Sequence, residues 1–251
     1  LIDQQGWINA FLYHTANPTY GPIPPSPPSP LVSASVTTIN PYPFSVSAAK
    51  SILASHGWKV APGGTSTCEN PSLCGTGITK GEGISFTIDY ASGIVALKNE
   101  MDDLAAQASK IGINISLTTH PFATVIGTAV ACQPSQPTCK WQSENWGAGW
   151  IYGPSYLPTG EQLFAPGAVA NYQSYSDPST TQLIQAVTTT PGSQALDAYA
   201  ENVERNVPVV FAPTSIGTYA GDAGVLVAKN LGGYAANALG MMNPEDWYFT
   251  K

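Results

Sequence analysis

Apolar and polar residues alternate from Ile84 to Tyr90, with Ile84, Phe86, Ile88 and Tyr90 separated by Ser85, Thr87 and Asp89. That two-residue period predicts a half-buried strand. The spacing then changes: Ile94, Leu97, Met101, Leu104, Ala108 and Ile111 form a helical stripe, with Glu100, Asp102 and Asp103 expected on the solvated face. Gly112 stands where a helix C-terminal glycine belongs, and Ile113, Ile115 and Leu117 resume a strand. Strand, helix and strand in this order predict a right-handed parallel crossover. The fold class is therefore α/β, or mixed α+β.

Further helices carry start signals. Ser45 or Ser47 caps a segment placing Ala49, Ile52, Leu53 and His56 on one face and stopping at Gly57. Asp177, with Pro178 at the first helical position, opens a helix bearing Leu183, Ile184 and Val187. Ser193 opens another that buries Leu196, Tyr199, Ala200 and Val203, ends near Asn206 and leads into a strand over 207–211. The stretch from Pro18 to Pro43 is rich in proline and predicts an extended, polyproline-like connection lying over a surface. Beyond Pro213 the chain is glycine-rich and loosely patterned.

Composition narrows the compartment. Only 10% of the 251 residues are charged, and the formal net charge is −7. Ser, Thr, Asn, Gln, Gly and Pro must then cover much of the surface, which suits an extracellular protein. Nine Lys and Arg without a cluster leave no footprint for nucleic acid. The four cysteines form two local pairs, Cys68 with Cys74 and Cys132 with Cys139, each bracketing a short polar loop. Local disulfides and an oxidising compartment are the expectation. Free thiols and a zinc site are the rival readings, although neither pair has the spacing of a zinc knuckle. The opening residues lack both a basic leader and a long apolar run, and Leu1 suggests a mature chain or part of a longer one.

Catalytic chemistry is thinly represented. His14, His56 and His120 lie far apart, no metal-binding pattern occurs, and neither a nucleophile elbow nor a nucleotide-binding glycine motif is present. No cofactor is implied. Glu144, Glu161 and Asp177 could in principle supply a glycosidase pair, and the proline-rich stretch could serve a surface adhesion domain.

The stretch Trp141 to Asp177 has the composition of a ligand surface, with Trp and Tyr crowded among Gly, Pro, Ser and Asn. Aromatic rings provide rigid contact area, and glycines allow close backbone approach. Candidate ligand contacts are Trp146, Trp150, Tyr152, Gly153, Tyr156, Asn171 and Tyr172.

Several segments in this order resemble the family 5 extracellular solute-binding proteins, the receptors of ABC importers. They are LIDQQGWINAFLYHTANPTYGPIPPSP, SVSAAKSILASHGWKV, ISFTIDYASG with IGINISL, GAGWIYGPSYLPTGEQLF with NYQSYSDPSTTQLIQAV, and YAENVERNVPVVFAP. The resemblance implies a type II periplasmic-binding-protein lobe with a central mixed sheet flanked by helices. It implies that residues 1–213 form the second, C-terminal ligand-binding lobe. Residues 214–251 would return to the first lobe of the same receptor, leaving Leu226, Leu231, Trp247 and Phe249 without their normal partners. The implied partners are a small solute and a membrane permease, and the implied location is extracellular or periplasmic, membrane-anchored in the full-length protein.

In the peptide-binding members a Gly-Trp step lines the cleft, and an Asp three residues later holds the ligand's amino terminus. Gly149 and Trp150 match the step, but Gly153 stands where the Asp belongs. A buried ammonium without a counter-charge is costly. The resemblance therefore points to a less charged solute, such as a modified peptide or a sugar.

Overall fold

The computed structural model describes residues 1–23, 25, 31–130, 139–147, 161–190, 192–215, 231–232, 245 and 247–250. In chain order the elements are α1 (Gln4–Ala10), β1 (Ala16–Asn17), α2 (Ser35–Thr38), α3 (Val46–Ser55), β2 (Trp58–Lys59), β3 (Thr67–Cys68), α4 (Pro71–Cys74), β4 (Ser85–Ala91) and α5 (Val95–Ser109). There follow β5 (Asn114–His120), α6 (Phe122–Val130), β6 (Ser143–Asn145), α7 (Glu161–Phe164), α8 (Pro178–Thr189), α9 (Ser193–Asn206), β7 (Thr214–Ser215), β8 (Leu231–Gly232) and β9 (Tyr248–Phe249). The fold is α/β. Two compact units divide the chain, one of residues 1–7 and 42–148 and the other of residues 8–41 and 149–251.

The first unit is built on a three-stranded parallel sheet in the order β5-β4-β6. Ser85 pairs with Asn114 and the register runs to Ala91 with His120, so the expected crossover through α5 is present. Ile88 and Tyr90 are buried on one face of β4, while Asp89 points the other way. Leu97, Met101, Ala108 and Ile111 bury the predicted stripe of α5. The acidic residues of that helix depart from expectation. Glu100 is 8% exposed, and Asp103 accepts a 2.7 Å hydrogen bond from the indole of Trp7, which is itself buried. Only Asp102 is exposed, paired with Lys98 one turn earlier. The apolar stripe of α5 is wide enough to include position 100, and an indole N–H inside needs an acceptor.

β2 and β3 form an antiparallel hairpin, and a Cys68–Cys74 disulfide ties the end of β3 to α4. Ser66, fully buried, ties this hairpin to the end of α5: its hydroxyl donates to Ile111 O at 2.8 Å and accepts from Ala61 N at 2.9 Å. The predicted helix α3 forms with Ser45 as its cap, accepting from Ala48 N. Its expected inner face is not buried, however, and Ile52 is 57% exposed.

In the second unit α8 and α9 pack together, and Leu196, Tyr199 and Val203 meet Ile184, Val187 and Phe164 in one core. Asp177 caps α8 by accepting from Thr180 N at 2.6 Å. The described parts of the proline-rich connection pack on this core, with Ile23 and Val36 inside it, while 24 and 26–30 lie outside the described residues. It is not extended throughout, because Ser35–Thr38 makes a helical turn. Ser33 N fixes that turn to Asp197 of α9 at 2.9 Å. The strand expected over 207–211 does not form. Val207 takes a left-handed conformation as the C-cap of α9, turning the chain out of line, and the apolar alternation is met by packing Val209 and Phe211 on the core while Val210 is exposed. Thr214–Ser215 instead pairs with Ala16–Asn17.

Candidate functional site

The order β5-β4-β6 means that the chain leaves β4 toward β5 on one side and then crosses back to β6 on the other. Right-handed crossovers stepping in opposite directions place their helices on opposite faces. Asn145 Nδ2 lies 3.9 Å from the sulfur of Met101, which puts α5 on the Ile88, Tyr90 and Asn145 face. By the same rule α6 belongs on the Asp89 and Glu144 face. Between β4 and β6 the connections diverge, and open α/β sheets present their ligand crevice at such a point, outside the carboxyl ends of the strands.

Each strand delivers a distinct group to that edge. After β4 the chain turns through Gly93, at φ +90°, into Ile94 and Val95, which are exposed. After β5 it enters α6 at Phe122, also exposed. After β6 come Trp146 and Gly147. Gly147 N donates to Asn145 Oδ1 at 2.9 Å, its φ of +72° disfavours any side chain, and a Cβ would fall 2.8 Å from the terminal methyls of Ile94 and Leu97, which would have to shift. The exit of β6 is thereby fixed against the start of α5.

Beneath Trp146 lies a polar cluster drawn from all three strands. Asp89 and Glu144 are register partners and share a face. Trp146 Nε1 donates to Glu144 Oε2 at 3.1 Å, whereas Glu144 Oε1 is buried with no hydrogen-bond partner among the described residues. His120 Nε2 lies 3.8 Å from Asp89 Oδ1. Burial raises the Glu144 carboxyl above the usual range, the Trp146 hydrogen bond opposes the shift, and the charge of Asp89 adds to it. Among the described residues no group of three or more His, Cys, Asp or Glu side chains could hold a metal.

Of the candidate contacts, Trp146 stands at this edge, half-buried. Trp150, Tyr152, Gly153 and Tyr156 lie outside the described residues. Asn171 is buried in the second unit, where Nδ2 donates to Ala165 O and Tyr175 O while Oδ1 accepts from Tyr175 N at 2.8 Å. Those three bonds make it a staple of the turn before α8. Tyr172, next to it, is half-buried. Of the carboxylates weighed for a glycosidase pair, Asp177 serves as a helix cap and Glu161 opens α7. Cys68 and Cys74 are joined, and Cys139 is disulfide-bonded; its expected partner Cys132 lies outside the described residues. Sequence reasoning put Ile94 on the buried stripe, whereas it precedes α5 and is 41% exposed, and it passed over Val95, Phe122 and the pairing of Asp89 with Glu144. The signal lay in strand order, which alternation along one strand does not carry.

A parallel sheet whose connections diverge between β4 and β6 defines an α/β lobe. Residues 1–162 match the bacterial extracellular solute-binding proteins, family 5 Middle, and the chain belongs to that family. These are binding proteins rather than enzymes. No curated protein matches the chain in sequence. In fold it is similar to the oligopeptide-binding protein AppA from Bacillus subtilis in complex with a nonapeptide, with a TM-score of 0.66 and 18% identity over 99% of this chain and 45% of that one. It is also similar to a nickel ABC transporter protein from Bacillus halodurans, with a TM-score of 0.68 and 14% identity over 98% of this chain and 46% of that one. Lactococcal OppA complexed with an endogenous peptide gives 0.65 and 18%, over 97% and 42%. The chain thus spans less than half the length of these solved relatives.

Proposed function

We propose that this chain is the second ligand-binding lobe of an ABC-importer receptor, capturing a small solute against the segment 146–156 and presenting it to a membrane permease. The observation that carries this reading is the place of Trp146: it leaves the sheet at the diverging point between β4 and β6, at the carboxyl edge, and leads directly into Gly149 and Trp150. Family membership supports solute binding, and the AppA and OppA complexes make a peptide-like solute the first class to test. Capture of this kind makes and breaks no covalent bond; it depends on a closed state that binds the solute more tightly than the open one. The first lobe of the receptor would supply the opposing wall, and residues 214–251 would cross back to complete it. The setting is extracellular or periplasmic, with the complete receptor anchored at the membrane.

With Gly153 where peptide-binding members carry Asp, nothing in the segment 146–156 offers a counter-charge to a free amino terminus. The solute is then a modified peptide, or a sugar stacking on Trp150 and Tyr152. Tryptophan fluorescence of the complete receptor, titrated with matched pools of short peptides bearing free or acetylated amino termini, tests this. The acetylated pool is expected to bind as well as the free pool or better. A tenfold preference for free amino termini would contradict the reading.

A further inference from the structure

Three features converge on Glu144. One carboxylate oxygen accepts the Trp146 indole N–H at 3.1 Å, the other is buried without a hydrogen-bond partner among the described residues, and Asp89 stands beside it in strand register. A buried carboxylate oxygen left without a donor is unfavourable, and in a native structure such a group calls for an explanation. We propose that Glu144 is a positioning residue, a proton-dependent latch whose carboxylate holds the Trp146 indole at the carboxyl edge of the sheet and releases it on protonation.

The direction follows from the chemistry. An indole N–H bonds more strongly to a carboxylate than to a neutral carboxyl group. Protonating Glu144 relieves both its burial and its repulsion by Asp89, at the cost of that stronger bond. Burial sets the titration above the ordinary glutamate range, so the latch loosens at a milder acidity than a surface glutamate would require. Among the described residues the ionisable groups facing it are few. β4 supplies Asp89, β5 supplies His120 against Asp89 at 3.8 Å, and α6, which contacts β6, carries none. No motif in the sequence marks this arrangement, since Glu144 and Trp146 are two residues apart while Asp89 arrives by strand pairing.

The latch is a property of this chain; its effect on solute capture rests on the receptor reading above. The test therefore uses no solute. The complete receptor is labelled with indole-15N tryptophan, and the Trp146 Nε1–H resonance, assigned by its loss in Trp146→Phe, is followed from pH 4 to pH 8. The expected result is a single step with a midpoint above the ordinary glutamate range. Glu144→Gln, which keeps an acceptor but does not titrate, is expected to abolish the step while leaving the resonance in its hydrogen-bonded position. Glu144→Ala is expected to move the resonance upfield at every pH. A step that persists in Glu144→Gln, or a resonance that Glu144→Ala does not move, overturns the latch whether or not the protein proves to be a receptor.

Discussion

Glu100 and Glu204 are nearly inaccessible side chains, and burial holds each proton to about pH 7. The unfolded chain releases the same protons near pH 4.5. Between these values the native state binds more protons than the unfolded state, so these two groups make stability fall as pH rises through that window and leave it level above. Glu204 Oε1 has no partner among the described residues and faces Gly21, where a Cβ would fall 2.5 Å from it. Glu204→Gln is expected to raise stability by on the order of 1 kcal/mol at pH 8 and by little at pH 4.5, as read from urea midpoints. An equal gain at both pH values would remove ionisation as the cause. Gly112 offers a second check. Its φ is +74° and a Cβ would fall 2.5 Å from Ala61 O and closer still to Ser66 Oγ, so Gly112→Ala is expected to cost at least about 2 kcal/mol.

Among the elements, those with long regular patterns were legible in the sequence. The alternation of Ile88 and Tyr90, the stripe of α5 and the buried face of α9 are set by local spacing, and the structure follows them. Two-residue strands such as β1 and β7 are not legible, because Ala16–Asn17 becomes a strand only when Thr214–Ser215 arrives beside it. Glu100 was misread because period alone does not set the width of a buried face. The cap of α8 was legible, and its network runs further than the sequence shows: Asp177 also accepts from the Thr180 hydroxyl, to which Asn202 Nδ2 donates at 2.7 Å from α9. The Ser179 hydroxyl, which also donates to Asp177, and the Thr180 bonds hold the Asp177 carboxyl below its usual range, so its stabilisation is present above that range and lost as pH falls. Asp177→Ala is expected to lower Tm by a few degrees, ~2–4 °C, in a scan at pH 7, and by less at pH 3. The Cys68–Cys74 loop gives another expectation: replacing both cysteines by serine should cost about 2 kcal/mol in denaturant unfolding, by the loop-closure estimate.

At the scale of the whole molecule the site is only partly legible in the sequence. The aromatic character of 141–177 could be read directly, yet the place of Trp146 at the carboxyl edge depended on β6 pairing with β4 rather than with β5. Each unit has its own core or sheet, and the chain spans less than half of its solved relatives. Of the tail residues expected to lack partners, Phe249 is 76% exposed, Trp247 is half-buried, Leu231 pairs with Phe249 between β8 and β9, and Leu226 lies outside the described residues. The measurement that tests the central claim most directly is mass spectrometry of the small molecules released on denaturing the complete receptor, purified from its native host without added solute, with Trp150→Ala prepared alongside. The account predicts a retained peptide-like or sugar solute that is absent from the folded variant. An empty native protein, or a solute retained equally by the variant, would contradict it.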